Sequence, residues 1–183
     1  MKKMPTLFVR DPDDRAHVLD QVNPGCEWAL NGEGRATRKW DGTCIKIDDE
    51  RQWWTRREVK PGKLAPSGWV QVDHDVVTGK RMGWEPWFHS GFAKHMADLF
   101  GRNAANGDVL EPGTYELIGP KINGNPDMVS DHMLRKHGDV IINGWKPTSF
   151  EEVRLGVTRL SWEGVVFHHP DGRMCKIKRK DFT

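Results

Sequence analysis

Reactive chemistry in this chain of 183 residues centres on one short string, Arg38-Lys39-Trp40-Asp41-Gly42-Thr43. A lysine amine attacks an electrophile only when neutral. With an ordinary pKa near 10.4 it is neutral about once in 2,500 molecules at pH 7, a penalty of roughly 4.6 kcal/mol at 1.36 kcal/mol per unit. Nearby cations, desolvation or a metal lower that pKa, as a nucleophilic lysine requires. Lys176-Ile177-Lys178 supplies two cations. In a strand, residues two apart share a face, so Lys176 and Lys178 project together while Cys175 and Ile177 point the other way. Two ammonium groups on one face suit a triphosphate.

Two carboxylates adjoin β-prone runs: Glu116 in Thr114-Tyr115-Glu116-Leu117-Ile118-Gly119, and Glu163 in Glu163-Gly164-Val165-Val166. Spacing alone assigns neither of them a role, since solvent-facing strand ends carry such residues too. Alternation sends Arg56 and Arg57 of Thr55-Arg56-Arg57 to opposite faces of a strand, so one can serve a site while the other is solvated. A lone Lys-x-Asp-Gly string also arises by chance as a surface turn. The ordered set decides the matter.

These residues need elements to hold them. Thr43 to Ile47 and Gln52 to Arg56 flank the polar Asp48-Asp49-Glu50-Arg51 and predict a hairpin. A second hairpin is predicted from Gly164 to His168 and Arg173 to Lys178 around Pro170-Asp171-Gly172. Phe92, His95, Met96 and Leu99 recur at helical spacing between Ser90, an N-cap, and Gly101, a stop. Ser149 and Glu152 have capping-box spacing ahead of Phe150, Val153 and Val157, predicting a second helix that Gly156 weakens by about 1 kcal/mol. Loop-like stretches run from Asn103 to Gly113 and from Gly119 to Pro126. Strands with scattered helices and no βαβ alternation predict an α+β fold of mostly antiparallel sheets with flanking helices, in a single domain over residues 1–183.

In order, the Lys39 string, Thr55-Arg56-Arg57, Thr114 to Gly119, Glu163 to Val166 and Lys176 to Lys178 resemble the motifs of the covalent nucleotidyltransferase superfamily of polynucleotide ligases and mRNA-capping guanylyltransferases. The longer strings from Glu116 to Pro126, from Glu163 to Gly172 and from Lys176 to Phe182 look like small ATP-dependent RNA ligases. The resemblance implies an ATP-grasp-like ligase domain in which Lys39 attacks the α-phosphate of ATP, forms a lysyl-AMP phosphoramidate and releases pyrophosphate. It further implies transfer of AMP to an RNA 5′-phosphate and sealing to a 3′-hydroxyl. Lys176 then contacts the α-phosphate with Lys178 nearby, and Arg56 contacts the ribose or the RNA terminus. Glu116 and Glu163 divide the ribose, a metal-bound water and support of catalytic Mg²⁺ between them, a metal whose preference for oxygen ligands and retained water fits carboxylates. Thr37 and Arg38 complete the nucleotide-binding set. Many relatives carry an acid at the position of Thr37, where ligases often contact adenine.

The chain ends five residues after Lys178, leaving no room for the oligonucleotide-binding (OB-fold) domain that follows this motif in DNA ligases and capping enzymes. The expectation is a minimal RNA ligase, acting alone or with an accessory protein for the acceptor strand. The competing readings are a non-catalytic RNA-end or nucleotide-binding module and a DNA ligase of the same superfamily.

Composition agrees with a soluble protein: 37% hydrophobic and 30% charged residues, with no apolar run near the roughly 20 residues needed to span a bilayer. No signal core follows Met1, so the expected location is the cytoplasm and no membrane partner is expected. A net charge of +2 leaves nucleic-acid binding to local clustering. Cys26, Cys44 and Cys175 form no CxxC pair and are expected to be buried small apolar residues. His168-His169 is no metal pair, because adjacent strand residues point apart. Of nine tryptophans, Trp53, Trp54, Trp69, Trp84 and Trp87 concentrate among basic residues. As a group they suit stacking on unpaired bases, and singly they suit a core.

Overall fold

The structure, a computed structural model, describes residues 3–107 and 109–183. In chain order its strands and α-helices are β1 (Phe8–Arg10), β2 (Val18–Val22), β3 (Arg35–Lys39), β4 (Thr43–Ile47), β5 (Trp53–Val59), β6 (Val70–Asp75), β7 (Lys80–Pro86), α1 (Ala93–Asn106), β8 (Gly113–Ile118), β9 (Met133–Lys136), α2 (Phe150–Thr158), β10 (Gly164–His168) and β11 (Met174–Lys178). All named strand pairs are antiparallel, and the fold is α+β. The chain divides into two compact units, Gly42–Lys136 with Lys3, and Met4–Asp41 with His137–Thr183. The first is called here the central unit and the second the lysine unit. No helix among the described residues is long and apolar enough to cross a membrane.

The central unit is built on a six-stranded sheet of order β6-β7-β5-β4-β8-β9. Alternation divides its strands cleanly. Ile45, Ile47, Trp53, Tyr115 and Leu117 are buried with Met96 and Leu99 of α1, while Lys46, Trp54, Arg56 and Glu116 take the opposite face. The predicted hairpin is β4 and β5, although β5 starts one residue later and runs on to Val59. Helix α1 departs further from expectation. It runs through Gly101 to Asn106 and ends at Gly107, whose left-handed φ of 72° suits a residue without a Cβ. Four residues of the expected Asn103–Gly113 loop are therefore helical. Its N-cap is Phe92, and the Ser90 hydroxyl accepts the Phe92 N–H at 3.1 Å instead of capping the helix.

The lysine unit holds a three-stranded sheet of order β11-β10-β3 and the separate pair β1-β2. Bridges from Thr6 to Lys176 and from Ile141 to Thr37 extend both edges of the sheet. Val165, Phe167, Cys175 and Ile177 on one face pack with Val153 and Val157 of α2 and with Phe8. Ser149 caps α2 by accepting the Glu152 N–H, and Glu152 reaches back to the Thr148 N–H at 2.7 Å, one residue before the expected partner. Gly156 does more than weaken this helix. A Cβ there would stand 2.8 Å from the Trp145 indole, so the glycine admits Trp145 to the core beside Phe167. All three cysteines are buried thiols.

Candidate functional site

Strand register places the lysines. Lys39 on β3 pairs with Gly164 on β10, and Gly164 pairs with Lys178 on β11. The next pairs on that face are Thr37, Val166 and Lys176, followed by Arg35, His168 and Met174. One face of a three-stranded sheet thus carries Lys39, Lys176 and Lys178, the other being core. Gly164 lies between two lysines because nothing larger fits: a Cβ would stand 2.2 Å from the Ile177 carbonyl oxygen.

Glu163, the residue before β10, gathers the charges. One carboxylate oxygen accepts from the Lys39 ammonium and the other from Lys178, with side-chain exposures of 9% for Glu163, 18% for Lys39 and 19% for Lys178. Burial alone would raise the Glu163 carboxyl, but the two ammonium groups outweigh it and hold it below the usual carboxylate range. Lys39 also donates to the Trp40 carbonyl at 3.3 Å. The end of β11 is fixed by Asp181, which is fully buried, accepts the Lys178 backbone N–H at 2.7 Å and pairs with Arg10 at 2.7 Å. Sequence reasoning passed over Asp181. Its signal is an acid at turn spacing after the Lys-Ile-Lys string.

Thr37 is buried, its hydroxyl lying 3.3 Å from the Val166 carbonyl and 3.0 Å from His168 Nε2. Arg38 takes the opposite face from Lys39, with its guanidinium 3.7 Å from the centre of the Trp40 ring and 5.1 Å from that of Trp162. His168 and His169 diverge as expected, His169 meeting Glu33 at 3.3 Å and Asp171 at 2.8 Å.

Arg56 and Glu116 belong to the central unit, on the face away from its core. Arg56 pairs in register with Trp84, and Glu116 with Cys44 and Arg135. Arg57 points the other way and meets the buried Glu85 carboxylate at 3.5 Å. Glu116 accepts the Gly42 N–H at 3.1 Å, and Asn123 donates to the Gly42 carbonyl at 2.9 Å. Gly42 is required there, because a Cβ would lie 2.0 Å from the Leu117 carbonyl oxygen. Trp53 is buried in the core with α1, whereas Trp84 is buried on the Arg56 face, with Lys46 Nζ 5.9 Å from its ring centre.

The lysine unit therefore brings together Lys39, Glu163 and Lys178 by contact and aligns Thr37 and Lys176 with them. A carboxylate between two ammonium groups offsets part of the positive charge concentrated on this sheet face. Glu163 has the hard oxygen donors that Mg²⁺ prefers, and each oxygen carries lone pairs beyond the one given to an ammonium. Compared with known proteins, the chain matches no protein-family profile and no curated protein.

Proposed function

We propose that this chain is an ATP-dependent RNA ligase of the covalent nucleotidyltransferase type, with Lys39 as its nucleophile. The observation that carries the reading is the convergence of Lys39 and Lys178 on Glu163, with Lys176 on the same sheet face. The α-phosphate of ATP takes the place between the two ammonium groups. Lys39, relieved of its ion pair and having lost a proton to solvent, forms the N–P bond as the bond to pyrophosphate breaks, and the second amine proton leaves to solvent. Lys176 and Lys178 hold the negative charge that builds on the phosphate oxygens. A 5′-phosphate oxygen of the RNA then displaces the lysine, and the Lys39 amine recovers a proton. Attack by a 3′-hydroxyl finally forms the phosphodiester and expels AMP. Mg²⁺, held through Glu163, would supply charge neutralisation at the phosphates, and the metal or ribose role of Glu116 rests on the resemblance alone. Thr37, on the Lys39 face, is a further nucleotide contact implied by the resemblance, Arg38 faces away from that side of the sheet, the role of Arg56 rests on the resemblance alone, and the cytoplasm is the compartment proposed.

The test uses α-labelled ATP or GTP with Mg²⁺. Label should remain on the denatured chain and pass to 5′-phosphorylated RNA in a chase, with RNA preferred over matched DNA. Lys39→Ala should abolish labelling while the far-UV spectrum is unchanged. Labelling at the wild-type level in that variant would sink the mechanism, and faster sealing of all-DNA nicks would overturn the RNA assignment alone.

A further inference from the structure

The residues on either side of Lys39 are joined behind the sheet face that carries it. Arg38 projects from the opposite face of β3, and its guanidinium carbon lies 3.7 Å from the centre of the Trp40 ring and 5.1 Å from that of Trp162. Both distances are within the reach of a cation–π contact. Trp40 is buried, while Arg38 and Trp162 are half-buried. Trp162 is the residue before Glu163, and its indole N–H donates to the carbonyl of Gly164, the partner of Lys39 in register, at 3.0 Å. One guanidinium thus ties the neighbours of Lys39 to the neighbour of Glu163. The backbone that bears it is fixed on both sides, since β3 pairs with β10 and the Arg38 N–H donates to the Val140 carbonyl at 2.9 Å.

This arrangement bears on the amine at the tip of Lys39. The ion pair with Glu163 holds that amine before reaction, but attack on a phosphate requires the pair to open. A second contact, with the Trp40 carbonyl at 3.3 Å, does not depend on charge. A neutral amine has two N–H bonds and one lone pair, so an N–H given to a fixed carbonyl restricts where the lone pair points, and bond formation depends on that alignment. Trp40 lies one residue beyond β3, outside the ladder that sets the peptide planes of Arg35–Lys39. Its ring, packed against Arg38, does that work instead.

We infer, resting on the reading that Lys39 is the nucleophile, that Arg38 and Trp162 are positioning residues: their stack with Trp40 fixes the Trp40 carbonyl, which aims the Lys39 amine at the phosphate. Neither side chain touches the nucleotide. A misplacement near 1 Å can slow a reaction about 100-fold, so loss of the stack slows formation of the N–P bond about 10- to 100-fold and leaves nucleotide affinity alone. Charge at position 38 is not sufficient, because a lysine there has no flat group to lie against an indole.

The test is single-turnover formation of lysyl-AMP by the full chain across a range of ATP concentrations with Mg²⁺, which separates the maximal rate from the half-saturating concentration. Arg38→Gln and Trp162→Leu should each lower the maximal rate about 10- to 100-fold, with half-saturation within about twofold of the wild type. Arg38→Lys should stay slow, whereas Trp162→Phe, which returns a ring to the stack, should recover most of the rate. If Arg38→Gln fails to fold, the two Trp162 variants decide the question. Wild-type rates in Arg38→Gln or Trp162→Leu, or a Trp162→Phe protein as slow as Trp162→Leu, would overturn the inference. So would a rise in half-saturating ATP at an unchanged maximal rate, which would make Arg38 a nucleotide contact. A wild type that forms no lysyl-AMP at all would sink the ligase reading and this inference with it, whereas normal labelling in every variant would remove the inference alone.

Discussion

Replacing Gly164 with alanine tests whether the sheet register builds the lysine cluster. The added Cβ would stand 2.2 Å from the Ile177 carbonyl oxygen and 2.7 Å from Lys178 Cα, about 1 Å inside ordinary contact. Both neighbours are backbone, so no side-chain rotation relieves the clash. β10 is paired on both sides, and separating it from β11 loses one or two ladder bonds at about 1 kcal/mol each. Overpacking strain adds about 1–3 kcal/mol. The expected loss is about 2–5 kcal/mol, which at a urea slope of about 2 kcal/mol/M lowers the midpoint by roughly 1–2.5 M. The same displacement moves Lys178 relative to Lys39, and a misplacement near 1 Å can slow a reaction about 100-fold. Urea unfolding followed by fluorescence, and lysyl-AMP formation in native buffer, measure the two effects. Gly172→Ala is the control: its Cβ meets open space, and only the φ of 92° opposes it, at about 1–2 kcal/mol. A Gly164→Ala protein with a wild-type midpoint and labelling rate would refute the reasoning.

Two further predictions concern helix glycines and pH. Gly101→Ala, with nothing within 4 Å of the new Cβ, should stabilise the protein by up to about 1 kcal/mol, whereas Gly156→Ala should destabilise it by about 1–3 kcal/mol by driving Trp145 from its seat. Thermal melts that move both variants in the same direction would contradict this. Glu163 has a folded-state pKa below its unfolded value of 4.5, so its contribution to stability is present above pH 4.5 and is lost as pH falls through the folded value. The stability gap between wild type and Glu163→Gln should therefore close on acidification below pH 4.5, and a gap that stays constant from pH 7 to pH 3 would be inconsistent with the double ion pair.

Local chemistry was legible in the amino-acid sequence wherever neighbours along the chain decide the outcome. The β4–β5 and β10–β11 hairpins follow from alternation around polar turns, and the Ser149 cap from its spacing to Glu152. Lys176 and Lys178 share a face for the same reason. The end of α1 was not legible at Gly101, because a glycine costs a helix only about 1 kcal/mol, and Met96 and Leu99 are anchored in the core. Distant pairings were decided by the tertiary structure alone. Lys39 and Glu163 are 124 residues apart and meet only because β3 and β10 are neighbours with Lys39 opposite Gly164. No local pattern encodes that register, since it is set by burying Ala36, Val165 and Phe167 together. Residue types singled out Lys39, Lys176, Lys178, Glu116 and Glu163 as candidates. Tertiary structure decided which of them touch, seated Asp181 beneath Lys178, and turned His168 towards Thr37, because contacts between distant strands depend on the packing of a shared core.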